Sequence, residues 1–242
     1  MQLTLQDAIS IHTTETTQRT PFDYIDIPLY CEKLGETLAS LLGLHDPHLL
    51  AHSLRVANFS ANLARVLGYP QEQVDLIRRG GLLHDLGKLG IPRAILSQPC
   101  ALTCEQYDRV KLHPVLGAGL LQESLECSAL MPIVRHHHEF FDGQGYPDRL
   151  AGDQIEIEAR IVAVADAVDV MASNRPYCRA FTVPQIIAEL ERCSGTQFDP
   201  TVVEAAIPIL LVKTHEISHY SSYLMMSIMV VEQSRFMECG NE

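Results

Sequence analysis

His136, His137, His138 and Glu139 lead without a break into residues 140–157, which carry Gly143, Gly145, Pro147 and Gly152. Elsewhere from Cys31 onward the apolar residues recur with helical spacing almost throughout. This is the one long stretch that cannot continue a helix, because Gly and Pro break the hydrogen-bonded ladder and favour turns. A loop of this length inside a compact domain is usually kept for function. The fold is therefore constrained to end a helix in imidazoles and to place a shaped loop directly behind them.

The periodicity predicts helices over 32–44, with Leu34, Leu38, Leu41 and Leu42 on one face, and from Pro47 to about Leu67, stopping at Gly68. A third helix is expected over 72–87, and a short one behind the capping box of Thr103 and Gln106. Further helices are read over 114–123, 131–139, 158–174 and 182–193, the last capped by Thr182. Asp199 and Pro200 supply an N-cap and a first-turn proline for a helix reaching about Leu211. Residues 1–30 form a Thr-rich extension, 31–212 the working domain, and 213–242 a Met-rich helical tail. With no β-rich section, the expected class is all-α, a helical bundle with one extended loop.

The formal charge of −12 argues against a basic groove for duplex nucleic acid. It is compatible with a small anionic substrate, because metal ions can supply local positive charge. The seven cysteines are odd in number and scattered, which reads as reduced thiols in a cytoplasmic protein. No leader peptide is visible, and the apolar run 223–231 is too short to span a membrane.

The candidate metal ligands are His52, His84, Asp85, His113, His137, His138 and Asp166. Mixed imidazole and carboxylate donors suit iron, manganese, zinc or similar first-row ions. Adjacent helical residues point about 100° apart, so His84 and Asp85 are poorly placed to chelate one ion from a straight face. A carboxylate has two oxygens, however, and Asp85 can span two ions. Single histidines on helices are usually surface or core residues, and His12, His45, His136, His215 and His219 are read that way. It is the joint occurrence of the other groups that points to a polynuclear site, with a metal-bridging hydroxide attacking a phosphodiester. Lys88 follows Asp85 by three residues and suits a phosphate oxygen. Asp169 follows Asp166 by three and suits the orienting of a ligand.

The blocks HSLRVA (52–57), HDLGKLGIP (84–92), HPVLGAGLL (113–121), HHEFFDGQGYP (137–147), VADAVDVMASNRPY (164–177) and GTQFDP (195–200) occur in that order. In this the chain resembles the HD-GYP family, a branch of the HD metal-dependent phosphohydrolases, over about residues 31–212. The resemblance implies a helical HD domain that hydrolyses cyclic di-GMP to pGpG or GMP in bacterial signalling. It implies that His52, His84, Asp85 and Asp166 hold one ion and that Asp85, His113, His137 and His138 hold the other. Iron or manganese is the expected metal. Asp85 and Lys88 are the expected catalytic residues. Lys88, Arg175, Gly143 and Tyr146 are expected at the substrate. The loop that names the family is linked with partners such as GGDEF domains, and a homodimer is also possible.

The chain departs from the family pattern at four positions. His48, one helical turn before His52, is a candidate ligand for a third ion. Cys178 stands where a basic residue is common, Val168 replaces a usual aromatic, and Asn174 replaces a charged residue. Cys178 and Val168 mildly favour an alternative, a non-catalytic module that binds a cyclic dinucleotide or a GGDEF partner. About 30 residues precede the core, fewer than a sensor domain needs. Regulation is therefore expected from a partner, the chain ends, or metal and redox state.

Overall fold

The structure, a computed structural model, describes residues 37–98, 100–122, 125–173 and 179–212. The expected extension and tail, and with them Asn174, Arg175 and Cys178, lie outside the described residues. Helix α1 (37–45) precedes α2 (Pro47–Val66), α3 (Gln71–Leu83), α4 (Arg93–Leu96), α5 (Cys104–Val110), α6 (His113–Gln122) and α7 (Met131–His136). After the long loop come α8 (Ile157–Ala172), α9 (Val183–Arg192) and α10 (Pro200–Val212). Among the described residues there is no β-strand, and the fold is all-α.

The helix ends follow local chemistry. Asp46 caps α2 by accepting the His48 amide at 2.8 Å, with Pro47 in the first turn. Thr103 and Gln106 form the predicted capping box on α5. Asp199 accepts the Thr201 amide at 2.8 Å at the start of α10.

Helix α8 is the axis of the molecule. Every residue from Ile161 to Met171 is buried, as expected of a helix apolar on all sides and surrounded by others. It packs on α2, α3, α7, α9 and α10. Val168, the unusual residue of its motif, is buried in the main core. Two acids, Asp166 and Asp169, interrupt this apolar helix, and buried carboxylates require partners.

The third helix corrects the sequence reading. It was expected to run to Gly87 but ends at Leu83, and residues Leu86–Gly90 form a 3-10 turn. The physical reason is a close approach. A Cβ on Gly87 would overlap the backbone of His113 and Gly117, so the turn lies directly on α6. Breaking the helix at Asp85 (φ −92°, ψ 8°) removes the divergence that a straight helix imposes on His84 and Asp85. Similarly, α7 stops at His136 rather than at Glu139, leaving His137 and His138 in the turn that follows.

Candidate metal centre

Five segments converge on one buried spot: α2 with His52, the end of α3 with His84 and Asp85, the start of α6 with His113, the end of α7 with His137 and His138, and the middle of α8 with Asp166. His84, Asp85, His113, His137, His138 and Asp166 are all buried. Two groups have ligand atoms within 4.8 Å of one another and could each hold a metal ion, His52–His84–Asp85 and His113–His137–His138.

Asp85 faces both groups. Its Oδ2 lies 3.3 Å from His84 Nε2 and 3.7 Å from His52 Nε2, and its Oδ1 lies 3.4 Å from His113 Nε2. Asp166 adds an oxygen to the first group, 3.1 Å from His52 Nε2 and 4.0 Å from His84 Nε2. Lys88 Nζ donates to Asp85 Oδ2 at 2.7 Å and is itself buried. It reaches that oxygen from the 3-10 turn.

The donor chemistry fits cations. His84, His113 and His137 each direct Nδ1 at a carbonyl three residues earlier, of Gly81, Val110 and Val134, at 2.8 Å. A carbonyl can only accept, so each Nδ1 carries the hydrogen and each Nε2 is left facing the site. Burial lowers the imidazole of His113 to about 4 and that of His137 well below 6.5, so both stay neutral. Yet their Nε2 atoms stand 3.2 Å apart, an approach of two lone pairs that only a proton or a cation could make favourable. Burial likewise holds His138 well below the ordinary imidazole range. The Nε2 atoms of His52 and His84 and Nδ1 of His138 are buried without a hydrogen-bond partner. His52 Nε2 is near Asp166 without being aligned as a hydrogen bond.

The carboxylates supply the opposite charge. Burial alone would raise Asp85, but His84 and Lys88 hold it well below the usual carboxylate range. Asp166 is likewise lowered against its burial, by its neighbour His52. Burial alone would keep His52 neutral, but Asp166 and Asp169 push it up to about 9. A cation is thus favoured where that proton sits.

A shell of polar contacts fixes these side chains, and two of its members escaped the sequence reading. His52 Nδ1 donates to Asp169 Oδ2 at 2.7 Å. Arg55 clamps the same carboxylate, Nε to Oδ1 at 2.6 Å and Nη2 to Oδ2 at 3.0 Å. Buried Glu139 accepts the backbone amides of Asp148, Arg149 and Leu150 at 2.6, 3.0 and 3.1 Å, stapling the long loop back onto the His137–His138 turn. The third letter of HHE was the available signal for Glu139. Arg55 on a mostly polar helix face gave none.

The loop closes over the histidines. The Tyr146 ring stacks on His138 with centroids 4.9 Å apart and planes at 24°. Its amide donates to the His138 carbonyl at 3.1 Å. A Cβ on Gly145 would strike the backbone of His138, Glu139 and Phe140, so only glycine permits this seat. Gly143, at φ 82°, makes the turn at the loop's outer end. The amides of Phe141 and Asp142 donate to the carbonyls of Gln197 and Thr196, tying the loop to the GTQFDP segment. His48 is exposed on the first turn of α2 and belongs to neither of the two groups that could hold a metal ion. His136 stands outside them too, bonded to Glu156 at 2.6 Å and Asp148 at 3.1 Å.

Residues 36–202 match the HD domain family. The chain is 39% identical over 183 residues to the cyclic di-GMP phosphodiesterase response regulator RpfG of Xanthomonas campestris, covering 73% of this chain and 48% of that one. It is 34% identical over 184 residues to the 3'3'-cGAMP-specific phosphodiesterase 2 of Vibrio cholerae, covering 74% of this chain and 35% of that one. It thus spans less than half the length of either relative. Among solved structures the fold resembles Bd1817, a HDG"Y"P protein from Bdellovibrio bacteriovorus, with a TM-score of 0.56 and 23% identity, covering 66% of this chain and 51% of that one.

Proposed function

The chain belongs to the HD domain family, and on that footing we propose that it is a metal-dependent phosphodiesterase that hydrolyses cyclic di-GMP to pGpG or GMP. The observation that carries this reading is the meeting of two buried donor groups on the two oxygens of Asp85. His52, His84, Asp85 and Asp166 would hold one divalent ion, and Asp85, His113, His137 and His138 the other. The imidazole and carboxylate donors suit iron or manganese. Two bound ions would polarise phosphoryl oxygens and lower the pKa of water towards neutrality.

The protein's own residues supply the rest. Asp85 fixes the spacing of the two groups. Lys88 brings a buried positive charge to within 2.7 Å of Asp85 Oδ2, where it can meet a non-bridging phosphate oxygen. Asp169 holds the His52 ring with Nε2 inward, and Tyr146 backs the His138 ring. Glu139 keeps the loop closed on that side. Two ions is the count the two groups support, with His48 one turn further out on α2. Asp142, Gln144 and Arg149 are exposed on the loop, which leaves them accessible to a signalling partner such as a GGDEF domain. The similarity to RpfG supports cyclic di-GMP, and that to the Vibrio cholerae enzyme makes 3'3'-cGAMP the necessary comparison.

The test is anaerobic purification with iron or manganese, metal analysis, and identification of products from both cyclic dinucleotides. Formation of pGpG or GMP by the wild type, and none by Asp85→Ala, is expected. Turnover retained by Asp85→Ala would refute the assignment. Tight binding of cyclic di-GMP with no product from the metal-loaded protein would select the non-catalytic alternative.

A further inference from the structure

Arg55 lies one turn beyond His52 on α2, with its side chain about half exposed. Its guanidinium reaches across to α8 and grips both oxygens of Asp169, at 2.6 and 3.0 Å. The same Asp169 Oδ2 takes the Nδ1 hydrogen of His52 at 2.7 Å. Asp169 itself is buried, on the same largely apolar helix as Asp166. We propose that Arg55 is a positioning residue for the metal-binding group of His52, His84, Asp85 and Asp166, acting through Asp169 on His52. The inference rests on the two-ion reading above.

The geometry gives Arg55 two effects. A bidentate guanidinium fixes the plane of the carboxylate, which a point charge would leave free to rotate. With that plane set, the Asp169 Oδ2 lone pair faces His52 Nδ1, which fixes the tautomer and turns Nε2 towards Asp85 and Asp166. The guanidinium also shares the negative charge of Asp169, tempering its pull on the His52 proton. In the three-histidine group His113 and His137 take their orientation from the backbone carbonyls of Val110 and Val134 instead, and His138 stacks on Tyr146. Arg55 therefore bears on one group and not on the other.

Titrating the metal-free full chain with Mn2+ alone, followed by calorimetry and electron paramagnetic resonance, tests this. Outer partners of metal-binding histidines typically matter by about 10- to 100-fold in affinity. Arg55→Ala is expected to weaken one of two Mn2+ equivalents by about 10-fold and leave the other unchanged. In a His52→Ala background the same substitution should change nothing further, which a merely structural role would not produce. Circular dichroism of the metal-free variants checks the fold. If Arg55→Ala does not fold, Arg55→Lys, which keeps the charge but not the fork, carries the same prediction. Wild type binding two Mn2+ with Arg55→Ala unchanged, or with both equivalents weakened alike, overturns this inference alone. Wild type binding no Mn2+ overturns it together with the two-ion reading.

Discussion

His84, His113 and His137 commit their Nδ1 hydrogens to carbonyls of their own segments, and this decides which way their lone pairs face. His52 uses a carboxylate for the same purpose, and the difference has a consequence for stability. Burial depresses His113 to about 4, so between pH 6.5 and 4 the unfolded chain binds the proton that the folded chain refuses. Stability is lost as pH falls through that window, on the order of 3 kcal/mol for His113 alone. His52 has the opposite sign. Raised to about 9, it stabilises fully below 6.5, and that contribution is lost as pH rises through 9. The metal-free protein should therefore be most stable near neutrality and weaker on both sides. Urea unfolding midpoints in chelator, measured from about pH 4 to pH 10, check this. A midpoint that rises steadily to the alkaline end would contradict it.

At the scale of elements, the 3-10 turn Leu86–Gly90 lies against α6 without a side chain between them, at Gly87. Gly87→Ala must push the two apart and carry His113 with α6. The expected result is a loss of about 1–3 kcal/mol in stability, together with weaker metal binding by the three-histidine group. Thermal unfolding and Mn2+ titration of the variant measure both, and no change in either would show that the contact has slack. The same turn marks where the sequence stopped being legible. Apolar spacing through Leu83 and Leu86 suits a continuous helix, and nothing local announces that Gly87 meets a backbone met again only at His113. The helices with caps were readable, because Thr103, Thr182 and Asp199 act on neighbours within three residues. The histidines and acids of the site were readable as residue types in recognisable blocks. The Arg55–Asp169 clamp spans 114 residues of chain, and Glu139 finds its partners only once the loop has closed, so neither shows in local pattern.

Across the whole molecule, the site ties together five segments spread from α2 to α8, with α8 buried at the centre. Ions held there would bind the folded state and not the dispersed ligands of the unfolded one, so they should stabilise by mass action, about 2.7 kcal/mol at a hundredfold excess over Kd. Treating the metal-loaded protein with a chelator should lower Tm by roughly 2–4 °C for each kcal/mol lost in a domain of this size. Differential scanning calorimetry before and after chelation measures it. A metal-loaded sample whose Tm ignores the chelator would place the metal outside the core. Among the described residues no helix is long and apolar enough to cross a membrane.

Asp85 turns one oxygen to each histidine group. Losing that one side chain would therefore take a donor from both groups at once, whereas losing a single imidazole spares the opposite group.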